Sequence, residues 1–155
     1  MENQRGFFEI GIMQGKNSDN LGTLWRSANI MGANGIFTIG ARYPKKHQTD
    51  TMNTPKHIPL REFDDFDTFF KSIPRDTELI AVELDDRAEN LTTFKHPERA
   101  IYLLGSEDKG ISEEWMKKCN RILKIPFDKN SFNVAVSGSI IIYDRILKSS
   151  GKKNI

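Results

Sequence analysis

Arg121 to Leu147 reads RILKIPFDKNSFNVAVSGSIIIYDRIL, and the fold turns on how this stretch is read. It begins as a short apolar strand, Ile122–Ile125. Pro126 stops that strand, because proline has no N–H to give to a ladder. A polar loop, Asp128–Asn133, leads into an apolar segment too long for an ordinary strand. Asparagine and serine just before such a segment are helix-capping residue types, and a helix start offers free backbone N–H groups to an anionic or polar ligand. The stretch is therefore expected to form a strand, a loop and a capped helix around a ligand pocket. Many β-branched residues in VAVSGSIIIY favour strand. The length of the run and the cap at its start decide for a helix over Asn133–Lys148. Its apolar residues lie on nearly every side, which predicts a helix buried all round, inside one domain or between two copies.

Upstream, strands and helices alternate. Phe7–Met13 (FFEIGIM) is rich in aromatic and β-branched residues and reads as a strand. After the polar loop Gln14–Asn20, Leu21, Leu24, Trp25 and Ala28 fall at helical spacing, with Asp19 or Asn20 as cap and Gly32 as terminator. Ile36–Ile39 is a second strand. Arg42–Leu60 is polar, carries Pro44, Pro55 and Pro59, and reads mostly as loop. Phe63, Phe66 and Phe70 have helical spacing, so Glu62–Ser72 reads as a helix. Leu79–Leu84, Ala100–Leu104 and Arg121–Ile125 read as strands. Ser112 followed by Glu113 and Glu114 marks a helix start. The alternation predicts an α/β fold, a mostly parallel sheet flanked by helices, in a single domain over 1–155.

Composition excludes several classes. The chain has 155 residues, 28% charged and 37% hydrophobic, a globular mix long enough to bury a core. No apolar run approaches the roughly 20 residues that span a bilayer. The N-terminus MENQRGFFEIG lacks the apolar core of a signal peptide. The single cysteine, Cys119, fits a reducing cytoplasm and is read as structural or inert. His47, His57 and His96 have no ligand spacing, so no metal is expected. Net charge is only +2, so local basic clusters matter more than the total. The Arg42–His47 loop, with Lys45 and Lys46, is the best candidate for phosphate contacts. Lys148, Lys152 and Lys153 read as solvated charges.

Three stretches carry chemistry. The first is NSDNLGTLWRSA, Asn17–Ala28; alone it reads as a capped helix with Arg26 a surface charge. The second is LLGSEDKGIS, Leu103–Ser112, a strand end, a glycine turn and a helix start; ligands bind at such strand ends in α/β sheets. The third is IPFDKNSFNVAV within the opening stretch, where Ser131 or Asn133 caps the helix.

Together they resemble the SpoU, or TrmH-like, branch of the SPOUT superfamily of RNA methyltransferases. The N-x5-R-x-A motif is matched by Asn20, Arg26 and Ala28. The G-x-E motif is matched by Gly105, Ser106 and Glu107, with Gly110 following. The I-P motif and the S-x-N after it are matched by Ile125-Pro126 and Ser131-Phe132-Asn133. The ordered set spans essentially the whole chain.

The resemblance implies S-adenosylmethionine as cofactor and methylation of a ribose 2′-hydroxyl, in tRNA by preference because minimal relatives of this size act there. The alternatives are the same reaction on rRNA, or a catalytically silent RNA-binding module. It implies a C-terminal deep trefoil knot over roughly 79–150 and a homodimer with catalytic residues contributed across the interface. It implies a cofactor held against Val82, Leu104, Gly105, Ile125, Pro126, Phe127, Ser131 and Asn133. The implied catalytic set is Arg26, Asn20, Glu107, Ser131 and Asn133. Arg26 would assist loss of the hydroxyl proton, stabilise an alkoxide or hold a phosphate, and Asn20 would orient it. Arg26, Arg42, Lys45 and Lys46 would contact RNA.

Overall fold

Continuous burial along the central strands, with side chains alternating between the two faces, builds a sheet covered on both faces. In the computed structural model, which describes residues 6–43, 58–127 and 130–151, β1 (Phe7–Met13) and β6 (Arg99–Gly105) pair along their whole length. Ala100, Tyr102 and Leu104 of β6 point to one face with Phe8, Ile10 and Ile12 of β1. Ile101 and Leu103 point to the other, with Met13. A strand buried on both sides reads as continuous apolar sequence, as a parallel strand covered by crossover helices must.

The remaining strands are β2 (Gly35–Ile39), β3 (Leu60–Phe63), β4 (Glu78–Val82), β5 (Glu89–Asn90) and β7 (Arg121–Lys124). The seven described strands form one sheet in the order β3-β2-β1-β6-β4-β7-β5, and all their pairings are parallel. Helices α1 (Ser18–Ile30) and α4 (Val134–Gly151) cover one face. Helices α2 (Phe66–Lys71) and α3 (Glu113–Met116) cover the other, where Phe37, Phe66 and Phe69 stack. The α/β expectation and the mostly parallel sheet hold.

Several boundaries differ. The cap of α1 is Asn17, whose side chain accepts from the Asp19 N–H, rather than Asp19 or Asn20. Gly32 follows the helix at φ 83, the left-handed conformation expected of its terminator. The helix expected over Glu62–Ser72 begins only at Phe66, capped by Asp65. Leu60–Phe63 is instead strand β3, paired with β2, so Leu60 is not loop. The strand expected to reach Leu84 ends at Val82, and the one expected to reach Ile125 ends at Lys124. The two-residue strand β5 was not foreseen. Lys45, Lys46, His47, Lys56, His57, Asp128, Lys152 and Lys153 lie outside the described residues.

The closing helix is a helix, but it is not buried all round. Ala135, Ile141 and Ile142 are in the core, whereas Val136, Tyr143 and Leu147 are 44%, 60% and 56% exposed. A helix on the outside of a sheet can bury only the faces that meet the sheet and α1. Its far half is stitched down by polar groups. Arg145, 2% exposed, donates to the Pro97 and Glu98 carbonyls and to the Tyr102 hydroxyl. Lys148 donates to the Leu91 and Phe94 carbonyls.

Candidate functional site

The carboxyl ends of β4, β6 and β7 open into a cleft of about 380 Å³. This is where open α/β sheets bind ligands. Val82, Leu104 and Ile125 give it an apolar floor, and Gly105, Phe127, Ser131 and Asn133 line it as well. Pro126 lies between two lining residues but is not itself part of the wall. Sequence reasoning missed Glu83, Leu84, Lys124, Phe132 and Ser137, which also line it. Only Leu84 had a signal, its place at the end of an apolar strand run.

Asn133 ties the cleft to the rest of the molecule. Its Oδ1 accepts from the Ala135 and Val136 N–H groups, capping α4. With the oxygen so fixed, Nδ2 faces outward. It donates to Asn20 Oδ1 at 3.0 Å and to Glu107 Oε1 at 3.3 Å. One amide thus brings together residues from all three chemistry-bearing stretches, 113 positions apart at the widest.

Asn20 is therefore engaged by Asn133, not by Arg26. Six residues further along α1, Arg26 is rotated about 120° from Asn20. It is exposed, and it does not line the cleft of its own chain.

The Gly105–Gly110 turn is closed on itself. The Gly110 N–H donates to the Ser106 carbonyl at 2.8 Å. A Cβ on Gly105 would lie 2.4 Å from the Gly110 carbonyl carbon, and Gly110 sits at φ 62, so each position requires glycine. Glu83 braces the turn by accepting from the Ile111 N–H at 2.8 Å.

Arg42 is not free to meet phosphate. Its guanidinium donates to both Asp108 carboxylate oxygens, at 2.8 and 3.2 Å, and to the Gln14 carbonyl. The Arg42 hydrogen bonds, followed by one from Ser106, hold the Asp108 carboxyl well below the usual carboxylate range. Arg42, expected to contact RNA phosphate, thus carries an internal ion pair with Asp108.

Cys119 is half-buried and donates to the Trp115 carbonyl at 3.4 Å. Burial pushes its thiol up to about 12, so no thiolate nucleophile forms near neutrality. Among the described residues no group of three or more His, Cys, Asp or Glu could hold a metal ion. No helix among them is long and apolar enough to cross a membrane.

Comparison with known proteins agrees with this geometry. Residues 8–143 match the model of the SpoU rRNA Methylase family. An uncharacterized tRNA/rRNA methyltransferase of Archaeoglobus fulgidus is 27% identical over 130 residues, covering 80% of this chain and 57% of that protein. The chain thus spans little more than half the length of that relative. The SpoU methyltransferase AviRb from Streptomyces viridochromogenes, solved in complex with AdoMet, superposes with a TM-score of 0.78 at 21% identity, over 92% of this chain and 57% of that one. A structure concerned with the 2-OH methylation of C/U34 on tRNA superposes with a TM-score of 0.80 at 24% identity, over 95% of this chain and 99% of that one.

Proposed function

The chain belongs to the SpoU rRNA methylase family, and from that premise we propose that it transfers a methyl group from S-adenosylmethionine to a ribose 2′-hydroxyl of RNA, with tRNA the preferred substrate. One observation carries this: the Asn133 amide, on the wall of the cleft, joins Asn20 and Glu107, so residues from the family's three motifs meet beside one cavity. The cofactor is supported by the AdoMet complex of AviRb. The preference for tRNA is supported by the likeness to the structure concerned with C/U34 methylation on tRNA, 99% of whose chain is covered.

The lining fits this cofactor. Val82, Leu104 and Ile125 suit an apolar ring, and the Glu107 carboxylate suits a cationic group. When bound, S-adenosylmethionine supplies an electrophilic methyl on a sulfonium. The chain's own task is to bind, to orient and to hold charge, and positioning alone is worth about 7–11 kcal/mol in favourable cases. Ser131 and Asn133 shape the rim where the ribose would enter. The Arg26 guanidinium stabilises the developing alkoxide, and the hydroxyl proton leaves to solvent. Because Arg26 does not line its own cleft, it would serve the cleft of a partner copy in a homodimer. In this reading α4 threads an earlier loop as a trefoil knot. The bonds from Arg145 and Lys148 to the carbonyls of residues 91–98 support that path. The lone cysteine supports a cytoplasmic location.

The test is calorimetry with S-adenosylmethionine, followed by mass mapping of 2′-O-methyl sites in total tRNA incubated with protein and cofactor. Saturable binding and a new methylated ribose are expected. Absence of cofactor binding would overturn the whole reading.

A further inference from the structure

Strands β2, β1 and β6 are neighbours, and their carboxyl ends lie side by side: Met13 pairs with Ile39 on one flank and with Gly105 on the other. Each strand therefore releases its loop at the same edge. The β1 loop begins at Gln14 and leads through Asn17 to α1, which carries Asn20. The β6 loop is the Gly105–Gly110 turn that carries Glu107. Arg42 lies on the third loop, just past β2.

Arg42 spans all three. Its own N–H donates to the Gly15 carbonyl at 2.8 Å. Its guanidinium donates to the Gln14 carbonyl from both Nε and Nη2. Beyond β1 it reaches Asp108 with two bonds and Ser106 Oγ with a third, at 3.3 Å. Ser106 Oγ in turn donates to Asp108 at 2.9 Å and accepts from the Lys109 N–H. Gln14 sits at φ 55, a left-handed conformation that costs a non-glycine residue roughly 1–3 kcal/mol and persists only where its surroundings over-determine it. The bonds to its carbonyl do this. A planar five-donor fork can meet a carbonyl, a hydroxyl and a carboxylate at once in fixed directions.

We propose that Arg42 is a positioning residue: the Arg42–Asp108 bridge locks the β1 loop to the β6 turn, and so holds Asn20 and Glu107 in the register at which the Asn133 amide can reach both. The assignment deepens the cofactor-site reading of the cleft and rests on it. It also separates two roles for the same arginine, since a phosphate-binding Arg42 would be hindered by Asp108, whereas a positioning Arg42 requires it.

Asp108→Asn, Arg42→Gln and the double variant decide between them. The readouts are S-adenosylmethionine affinity by calorimetry, and the salt dependence of total-tRNA binding. Each single variant should weaken cofactor binding about tenfold, the cost of one charge-assisted hydrogen bond. The double variant should be no worse than either single, because both remove the same bridge. The slope of tRNA affinity against salt should not change. Asp108 is partly exposed, so Asp108→Asn keeps the fold and remains informative if Arg42→Gln does not. If wild-type protein binds no cofactor, the reading of the cleft fails. If it binds and Asp108→Asn binds equally well, the positioning role fails. Tighter tRNA binding by Asp108→Asn, or a salt slope shallower by about one in Arg42→Gln, would likewise overturn it in favour of a phosphate contact.

Discussion

Asn133 does two jobs with one amide, and they can be separated. Asn133→Asp keeps an oxygen for the Ala135 and Val136 N–H groups and adds a charge that suits a helix N-terminus. It loses the donor, and sets a carboxylate against Glu107 Oε1 and Asn20 Oδ1. The variant should melt within a few degrees of wild type yet lose methyl transfer by about 100-fold, since the new carboxylate would repel Glu107 and position 133 would have no N–H left to hold it. Equal losses of thermal midpoint and activity would mean that Asn133 is only a cap. Arg26→Lys addresses the other motif. If a guanidinium fork stabilises the alkoxide, lysine should cut the maximal rate while leaving tRNA affinity within about twofold; retained rate would mean that charge alone suffices. His96 gives a pH prediction. Burial is the largest influence and takes its ring from 6.5 down to about 4, although Nε2 meets Asp144 at 2.8 Å and Nδ1 meets the Tyr102 hydroxyl at 2.6 Å. The unfolded chain then binds a proton that the fold does not. Stability is fully present above pH 6.5 and declines as pH falls towards 4, by on the order of 3 kcal/mol. Thermal midpoints followed across that window should drop, and His96→Gln should flatten the slope. At this scale Asn20, Glu107 and Asn133 stand out only through the resemblance of three ordered motifs to one family, because each stretch alone reads as an ordinary cap or turn. That Asn20 pairs with Asn133 and not Arg26 could not be read, because a contact across 113 residues leaves no periodic trace.

At the scale of elements, α4 was the hardest to read, and Gly138 shows why it is a helix. A Cβ there would come 2.5 Å from Leu24 Cδ1 and 3.1 Å from Ile10 and Leu104 Cδ1 atoms. The glycine lets α4 lie directly on α1 and the two central strands, and that packing outweighs the strand preference of its β-branched residues. Gly138→Ala normally stabilises a helix interior by up to about 1 kcal/mol. Here it should destabilise by roughly 1–2 kcal/mol, because the added methyl must displace three core side chains; a raised melting temperature would count against this packing. The β3 error has a comparable physical cause. Phe63, Phe66 and Phe70 fit a helical face in sequence, but Phe63 ends a strand and meets Phe69 edge-on at 5.5 Å across the turn. Aromatic residues that converge on one cluster need not share one element. The central strands were legible because both their faces are buried, and the two-residue β5 was not, because so short a strand has no period to detect.

For the whole molecule, the sequence pattern of α4 promised apolar contact on all sides, and a single chain supplies only part of it. Val136, Ile140, Tyr143 and Leu147 recur at i, i+4, i+7 and i+11, which places them on one face. Val136, Tyr143 and Leu147 are markedly exposed, and Ile30 at the end of the contacting helix α1 is 73% exposed. Exposed apolar side chains recurring on one helix face are a candidate interaction surface. The surplus of apolar residues could be read in the sequence; whether the same chain or another covers them could not, because periodicity reports that a face is buried and not by what. The homodimer proposed above would cover this face, and its second copy would also bring an Arg26 to the cleft. Tyr143→Glu with Leu147→Glu puts charge on that face without touching the core residues Ile141 and Ile142. Sedimentation should show wild-type protein as a dimer at micromolar concentration and the double variant as a folded monomer. The monomer should lose methyl transfer far more than cofactor affinity, since the cleft is built within one chain while its arginine is not. Mixing it with excess Arg26→Ala protein should restore nothing, because the charged face excludes it from pairing. A double variant that stays dimeric, or a monomer that keeps full activity, would remove the partner's arginine from the site.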